Sequence, residues 1–142
     1  MRTVRQLLES KSAEIHAVPP DAPVIEAIRL MADHHVGALL VMEGARLAGI
    51  LSERDYARKV GLQGRSSKDT PVRDIMTATV ITVAPGDSAE HCMQVVTDHR
   101  IRHLPVLDGD TVLGVVSIGD LVRAVIEEQR QELDHLQRYI AS

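Results

Sequence analysis

The stretch GILSERDYARKV, residues 49–60, is followed 65 positions later by GVVSIGDLVRAV, residues 114–125. Each copy has a glycine, two aliphatic residues, a serine, two variable positions and an aspartate, and then apolar residues at helical spacing. Serine and aspartate at this spacing, directly ahead of an apolar run, are typical of the start of a helix. A phrase of this length that returns once predicts a duplicated structural unit.

The similarity extends beyond the quoted stretch. Without gaps, residues 18–60 overlay residues 83–125 with 12 identities in 43 positions. Upstream, VRQLL (4–8) matches VRDIM (72–76) once three extra residues are allowed in the first copy. Solenoid repeats are shorter and more numerous than this. The sequence therefore predicts two copies of one domain.

Both copies show the same order of predicted elements, β-α-β-β-α. A short apolar segment (15–18 or 80–83) precedes a helical period. Two β-rich runs then flank a turn at Gly44 or Gly109, and a final helix follows. We expect Pro105 at a sheet edge or at a strand start, because it has no N–H to donate to a ladder.

The same pattern divides the chain into four segments. Residues 61–71, GLQGRSSKDTP, are rich in Gly, Ser and charge and are predicted to link copy 1–60 to copy 72–127. Beyond the second copy, apolar residues continue at intervals of three to four residues or multiples of these intervals, which predicts a helical extension over 128–142. This apolar stripe either folds back on the domain or packs against another chain. The second outcome, a homodimer, is favoured.

Composition excludes several classes of protein. With 142 residues, 44% hydrophobic and 25% charged, the chain has the balance of a soluble globular domain. It has no Phe or Trp and a net charge of −4. These features argue against base stacking on single strands and against a basic nucleic-acid surface. The basic stretch 54–73 is interpreted as a solvated helix and linker.

Location and redox state are also read from composition. Cys92 is the only cysteine, so no intrachain disulfide forms and a reducing compartment is expected. No apolar run approaches the roughly 20 residues of a membrane span, and no signal-peptide stretch is present. The expectation is a cytoplasmic protein that does not associate with membranes.

Two interpretations of the repeated Ser-x-x-Asp phrase remain open. In the first, Ser52 with Asp55, and Ser117 with Asp120, are capping boxes that satisfy free backbone amides. In the second, the same helix starts face a ligand. Free N–H groups there bind an anion, the aspartate accepts hydrogen bonds from ribose hydroxyls, and the serine donates to ribose or phosphate. Both hold together when a cleft faces the cap.

The repeated β-α-β-β-α order and the Gly-aliphatic-aliphatic-Ser-x-x-Asp phrase resemble the CBS (cystathionine-β-synthase) domain pair, or Bateman module. The resemblance runs from about Val4 to Ile126 and is especially marked over HRIRHLPVLDGDTVLGVVSIGDL, residues 99–121. It implies an α+β fold of tandem CBS repeats packed about a pseudo-twofold axis, with two clefts between their sheets. Such modules commonly dimerise, bind AMP, ADP, ATP, NAD or S-adenosylmethionine, and regulate an attached or separate protein without catalysis.

The resemblance also implies which residues form each site. Besides the Ser–Asp pairs, it assigns the second central strand and the starts of both central strands, which would sandwich an adenine between aliphatic side chains. These residues are Ile50, Val115, Val36, Gly37, Ala38, Ile101, Arg102 and His103. The first-strand regions, near His16 in one copy and from Thr77 to Ile81 in the other, would close the base pocket.

The two copies differ where a phosphate would lie. The second has Arg102-His103 where the first has Gly37-Ala38, and the planar, always charged fork of Arg suits phosphate. We therefore expect tighter binding of a phosphate-bearing ligand at the second copy. Arg54, in the first turn of the first copy's final helix, either reaches a phosphate at the other site or faces solvent. No catalytic cofactor is expected, and the regulatory ligand is expected to be an adenine nucleotide.

Other chemistries are not favoured. Asp33-His34-His35, and His99 with His103, are metal-ligating types, but the latter pair spans a helix end and a strand start, and no metal site is expected. Ser117 lacks the nucleophile-elbow pattern, so no catalytic residue and no enzyme are expected. The alternative to a nucleotide sensor is a structural dimerisation module in which the Ser-x-x-Asp phrases are only helix caps.

Overall fold

The computed structural model describes residues 2–11 and 14–141, in which the elements of one half return in the other. The first half contains α1 (Val4–Glu9), β1 (Ala17–Val18), α2 (Val24–His34), β2 (Ala38–Glu43), β3 (Arg46–Ser52) and α3 (Glu53–Tyr56), which a π-helical turn (Ala57–Gly61) continues. The second half contains a 3₁₀ turn (Val72–Asp74), α4 (Ala89–His99), β4 (His103–Asp108), β5 (Thr111–Ser117) and α5 (Ile118–Ala141).

The duplication predicted from the sequence is confirmed by these bounds. α4, β4 and β5 start 65 residues after α2, β2 and β3, respectively (24 to 89, 38 to 103, 46 to 111). α2 and α4 both end on a residue in the left-handed region, His35 and Arg100, each with φ of 54°. Both hairpins turn at a glycine with positive φ, Gly44 and Gly109, a conformation that costs glycine little.

The first strand of the second copy is shorter than predicted. In the first copy β1 pairs with β2 in parallel, and the Leu40 N–H donates to the His16 carbonyl at 3.1 Å. In the second copy the predicted strand at 80–83 is reduced to a single bridge from Val83 to β4. The counterpart of Leu40 is Pro105, whose missing N–H removes that bond from the ladder. Pro105 lies in β4 at the edge of a two-stranded sheet, as expected.

One compact unit contains residues 14–81 and the turn residues 109–112. Its three-stranded sheet has the order β1-β2-β3, with β2 and β3 antiparallel. The segment 61–71 is attached to the start of α2. The Val24 N–H donates to the Thr70 carbonyl and the Ile25 N–H donates to the Ser67 carbonyl, both at 2.9 Å. The buried core of this unit is aliphatic apart from one methionine, as a chain without Phe or Trp requires.

The other compact unit contains α1, residues 82–108 and the chain from Leu113 onward. β4 pairs with β5, and α4 packs against α5. The Val4 N–H donates to the Asp87 carbonyl at 2.8 Å, and the Arg5 N–H donates to the Pro85 carbonyl at 3.0 Å. α1 therefore packs with elements of the second repeat, although in sequence it belongs to the first copy, 1–60.

α5 extends from Ile118 to Ala141, as the apolar spacing predicts. Leu121 and Ala124 in its first turns are buried, whereas Leu133 and Leu136 in the extension are 56% and 54% exposed. Across residues 2–11 and 14–141, no helix combines the length and the apolar character that crossing a membrane requires.

Candidate ligand sites at two serine–aspartate helix starts

The site of the first repeat is the junction of β3 and α3. The Asp55 N–H donates to Ser52 Oγ at 3.2 Å, while the Ser52 N–H and hydroxyl donate to Asp55 Oδ2 at 3.0 and 3.1 Å. These reciprocal bonds form a capping box. Lys59 Nζ lies 3.4 Å from Asp55 Oδ1 and donates to the Ile75 carbonyl at 2.9 Å. The aspartate is therefore held in one orientation.

Backbone contacts bring three further predicted residues to this junction. The Glu53 N–H donates to the Gly37 carbonyl at 3.0 Å, so the loop before β2 contacts the start of α3. Ala38 is opposite Ser52 in the β2–β3 register. Ile50 is two residues before the cap and is half-buried. Gly37, Ala38 and Ile50 thus lie around the capped serine.

Thr77 also lies beside this junction. Its N–H and carbonyl exchange hydrogen bonds with those of Ile50, at 2.9 and 3.0 Å. A Cβ added at Gly49 would lie 2.7 Å from Met76 Sδ and 2.9 Å from the Thr77 carbonyl, so glycine permits this approach. Thr77 comes from the first-strand region of the second copy, yet the structure places it on the strand of the first.

The second repeat contains the same geometry where β5 meets α5. The Asp120 N–H donates to Ser117 Oγ at 3.2 Å, and the Ser117 N–H donates to Asp120 Oδ2 at 2.8 Å. The Ile118 N–H donates to the Arg102 carbonyl at 2.8 Å, which repeats the bond to Gly37 in the first repeat. The predicted capping role of the Ser-x-x-Asp phrase is confirmed at both helix starts.

Asp120 has a partner from the N-terminal segment. Lys11 Nζ lies 2.7 Å from Asp120 Oδ2 and donates to the Val115 carbonyl at 3.0 Å. One turn earlier, Leu8 Cδ2 lies 3.0 Å from the position that a Cβ on Gly114 would occupy. Each capping aspartate is therefore paired with a lysine that also donates to a nearby carbonyl. In the first repeat this lysine is local, and in the second it comes from the opposite end of the chain.

The surroundings of Asp120 keep its carboxylate ionised. Burial acts to raise the pKa of Asp120, but hydrogen bonds from Lys11 and Ser117 and the charge of Lys11 together lower it below its ordinary value of 3.8. A negative charge at the first turn of α5 also interacts favourably with the positive end of the helix dipole. At neutral pH Asp120 acts only as an acceptor of hydrogen bonds.

Other predicted site residues close the ends of helices or begin strands. The Val36 N–H donates to the Met31 carbonyl at 3.0 Å, and the Ile101 N–H donates to the Val96 carbonyl at 3.1 Å. These bonds terminate α2 and α4 just before the central strands. His103 then begins β4 and is half-buried, as Val36 and Ile101 are.

Three predicted residues lie elsewhere in the structure or at its surface. The ring of His16 stacks on that of His34, with centroids 4.0 Å apart. Ile81 is half-buried in the first-repeat unit, and the side chain of Arg54 is at the surface. Their roles toward a ligand remain predictions.

The sequence interpretation missed both lysines. Lys59 is four residues after Asp55, so the helical i,i+4 rule signals it directly. Lys11 carries a weaker signal, since it lies between α1 and β1, where the first copy has three extra residues. Contact with Asp120 requires α1 to pack with the second repeat, which the chain order does not indicate.

Comparison with known proteins identifies this arrangement. The family model for the CBS domain matches residues 4–61 and 72–127, which together make up most of the chain. The chain belongs to the CBS-domain family. It is a tandem CBS pair, a regulatory module, and the resemblance seen in the sequence is confirmed.

Related proteins and structures agree with this assignment. CBSX3, a mitochondrial CBS domain-containing protein of Arabidopsis thaliana, is 51% identical over 125 residues, covering 84% of this chain. This chain spans only 61% of the length of CBSX3. The structure of a candidate signal-transduction protein with CBS domains from Burkholderia ambifaria MC40-6 has a TM-score of 0.87 at 53% identity, covering 90% of this chain and 96% of that one. These matches confirm the mixed fold of tandem CBS repeats.

A more distant CBS pair has been solved with ligands. The CBS domain pair of protein MJ0100, in complex with 5′-methylthioadenosine and S-adenosyl-L-methionine, has a TM-score of 0.78. It covers 90% of this chain and 98% of its own at 22% identity. At this identity the likeness establishes a shared fold.

Proposed function

We propose that this CBS pair binds adenosine-containing nucleotides (AMP, ADP, ATP or NAD) at its two serine–aspartate helix starts and signals to a separate protein. The observation that carries the proposal is the recurrence of one polar geometry at equivalent places. Capping alone does not demand it, since α1 uses Thr3 with Gln6, and α4 uses Ser88 ahead of His91. Ser-x-x-Asp occurs at the two helix starts that follow the central hairpins.

The aspartates retain the capacity to bind ribose. An ionised carboxylate offers about four acceptor positions on its two oxygens. Oδ2 of Asp120 takes the bonds from Ser117 and Lys11, whereas Oδ1 lies 3.9 Å from Arg123, too far for a hydrogen bond. Oδ1 is therefore suited to accept hydrogen bonds from the vicinal hydroxyls of a ribose. The half-buried aliphatic residues around each cap would contact the base.

The two sites are proposed to be unequal. The Arg102 carbonyl accepts a hydrogen bond from the first turn of α5, and the Arg102 side chain is exposed. The equivalent residue in the first repeat is Gly37, which has no side chain. A lysine lies beside both caps, Lys59 in the first repeat and Lys11 in the second, so Arg102 is the cation that distinguishes the two sites. Arginine and lysine both bind phosphate, arginine through two parallel donors. Phosphate-bearing ligands should therefore bind more tightly at the second repeat than at the first.

We propose no chemical step for either site. A bound nucleotide would act by binding one conformation of the module better than another, which is the only way in which a ligand shifts an equilibrium. The adenosyl ligands bound by the CBS pair of MJ0100 support an adenosyl ligand here. The location of the protein in the cell, expected to be cytoplasmic, is part of this proposal.

A second copy of this chain is proposed to cover the extension of α5. Leu133, Leu136 and Ile140 follow each other at spacings of three and four residues on one face, and each is more than half exposed. An apolar stripe of this length on an otherwise charged helix is typical of a helix–helix contact. This surface also favours the second candidate function, a structural dimerisation module without a nucleotide.

Calorimetric titration of the full chain with AMP, ATP, NAD and S-adenosylmethionine tests the ligand proposal. We expect at least one of them to bind with a Kd below millimolar. Asp120→Ala should weaken that binding at least tenfold, because a hydrogen bond to a charged group contributes about 1.5–3 kcal/mol. Failure of every adenosyl compound to bind below millimolar concentration would contradict the proposal and favour the dimerisation module.

Ser88→Ala is the matched control for Asp120→Ala. Ser88 caps α4 in the same compact unit, since its Oγ accepts the His91 N–H at 3.0 Å. Its loss should cost about 1 kcal/mol of stability, as the loss of a cap usually does. If Ser88→Ala and Asp120→Ala lower the melting temperature equally and both leave nucleotide binding unchanged, Asp120 is only a capping residue.

The dimer is tested by light scattering on the full chain. Leu133→Asp combined with Leu136→Asp, or removal of the residues after Glu127, should halve the mass of the particle. Gln131→Glu is the control, because it adds a charge on the opposite face of α5 and should leave the mass unchanged. An unchanged mass in all the variants would contradict the dimer.

A further inference from the structure

Glu14, His16 and His34 form a cluster of metal-ligating side chains outside the two serine–aspartate helix starts. One ligand atom from each side chain lies within 4.8 Å of those from the other two. His16 Nε2 is 3.6 Å from Glu14 Oε2. The two imidazole rings are stacked, with centroids 4.0 Å apart and planes inclined at 25°. Among residues 2–11 and 14–141, these three side chains form the group of three or more His, Cys, Asp or Glu whose ligand atoms lie this close together.

The backbone fixes both histidines. His16 directly precedes β1, and its carbonyl accepts the Leu40 N–H of β2 at 3.1 Å. His34 is the last residue of α2, and His35 follows it in the left-handed conformation that ends the helix. The backbones of the two histidines are therefore positioned by a strand start and a helix end. His16 is half-buried, while Glu14 and His34 are exposed, so a cation can reach them from solvent.

The electrostatic surroundings favour a cation. His34 lies at the C-terminal end of an 11-residue helix, where the helix dipole is negative. The Glu14 carboxylate supplies a full negative charge beside His16. An imidazole donates a ring-nitrogen lone pair to a metal, and a carboxylate donates an oxygen, so the three side chains supply three ligand atoms.

We infer that these three residues bind a divalent transition metal of the zinc class. Two imidazoles and one carboxylate are ligands that zinc takes in proteins, with a fourth position left to water. Bonds of about 2.0–2.1 Å place the ligand atoms of a tetrahedral site roughly 3.3 Å apart. The 3.6 Å pair is close to this spacing, and the ligand atoms of all three residues lie within 4.8 Å of one another. Binding would require the exposed Glu14 and His34 side chains to turn toward the metal.

The site goes beyond the proposed nucleotide function and is confined to the first repeat. The positions equivalent to Glu14, His16 and His34 in the second repeat are Thr79, Ile81 and His99. Only the helix-end histidine is common to both repeats, so the second repeat lacks two of the three ligands. This site also departs from the sequence expectation of no metal, because His34 is joined by residues 18 and 20 positions away and not by its neighbours.

Calorimetric titration of the full chain with ZnCl₂ tests the site, with Co²⁺ as a spectroscopic probe of tetrahedral coordination. We expect one zinc per chain and visible d–d bands on addition of Co²⁺. His16→Gln and His34→Gln should each weaken zinc binding at least tenfold and remove the Co²⁺ bands. His99→Gln is the matched control, since it removes the equivalent histidine where the other ligands are absent.

Each outcome decides the proposal. Zinc binding that is unchanged in the His16→Gln/His34→Gln double variant would place the metal on other histidines and overturn the site. An equal loss in His99→Gln would do the same. Circular dichroism and the melting temperature of each variant without metal must match the unmodified protein, and the exposed position of His34 makes that the expected result. A chain that binds no zinc at micromolar concentration refutes the inference outright.

Discussion

The ion pair between Lys11 and Asp120 provides the sharpest test of how the N-terminal segment is held. Lys11 Nζ is 2.7 Å from Asp120 Oδ2, and the two side chains are 35% and 15% exposed. Fully exposed pairs contribute about 0.2–1 kcal/mol to stability, and this pair is better shielded on the Asp120 side. We therefore expect a coupling free energy near 1 kcal/mol, the upper end of that range.

A double-mutant cycle of Lys11→Met and Asp120→Asn measures this coupling. Lys11→Met should cost about 1 kcal/mol, chiefly from the ion pair, because the hydrogen bond that Lys11 also donates to the Val115 carbonyl is exposed to solvent and contributes little. Asp120→Asn should cost about 2 kcal/mol, since it also weakens the capping box, and the double variant should cost about the same 2 kcal/mol. Urea unfolding gives each free energy. A coupling below about 0.3 kcal/mol would refute the reasoning.

The first repeat supplies the control cycle. Lys59 and Asp55 form an i,i+4 pair in which Nζ is 3.4 Å from Oδ1, and such pairs contribute about 0.3–0.5 kcal/mol. Lys59→Met with Asp55→Asn should therefore show less than half of the coupling measured for Lys11 and Asp120. Equal coupling in the two cycles would mean that the shorter distance in the second repeat has no energetic consequence.

The pH dependence of the coupling follows from the sign of the pKa shift. The pKa of Asp120 is lowered in the folded protein, so its contribution is complete above the unfolded value near 3.8 and is lost as the pH falls through the lower folded value. The coupling of Lys11 to Asp120 should accordingly be the same at pH 7 and at pH 5. A coupling that disappears between these pH values would show that another group is responsible.

Two further predictions concern buried positions. Gly49→Ala should destabilise the protein by about 1–3 kcal/mol, because the new Cβ would approach the Thr77 carbonyl to 2.9 Å. Gly86→Ala is its control, since a Cβ there meets no atom within 4 Å, and similar urea midpoints for both variants would contradict the argument. Cys92 is fully buried, and burial raises the pKa of its thiol to about 11. Iodoacetamide should therefore label it at least roughly 100-fold more slowly in the native than in the urea-unfolded protein, as mass spectrometry would show, and rapid native labelling would refute this.

Much of the fold was predictable because it depends on local spacing. The 65-residue offset, the hairpin glycines and the capping boxes are visible in the sequence, since caps join residues three apart and turns join neighbouring strands. The length of α5 followed from its apolar period. The cause of the shortened first strand in the second copy is also visible in the sequence, because Pro105 occupies the position equivalent to Leu40. That Pro105 shortens this strand becomes clear only when its strand partner is known.

The candidate sites were predictable only in part. The sequence by itself determined Ser52, Asp55, Ser117 and Asp120, because each pair is local. The lysine that pairs with Asp55 is local as well, but the lysine that pairs with Asp120 lies 109 residues away in sequence.

The tertiary structure alone decided which distant segments meet. α1 packs with the second repeat, and Thr77 pairs with a strand of the first, so neither lies with the copy to which it belongs in sequence. His16 and His34 meet because a strand entry and a helix end adjoin in one compact unit. A periodic pattern in the sequence indicates which face of a helix or strand is apolar. Which other element packs on that face depends on the shapes of the two surfaces, and these exist only in the folded chain.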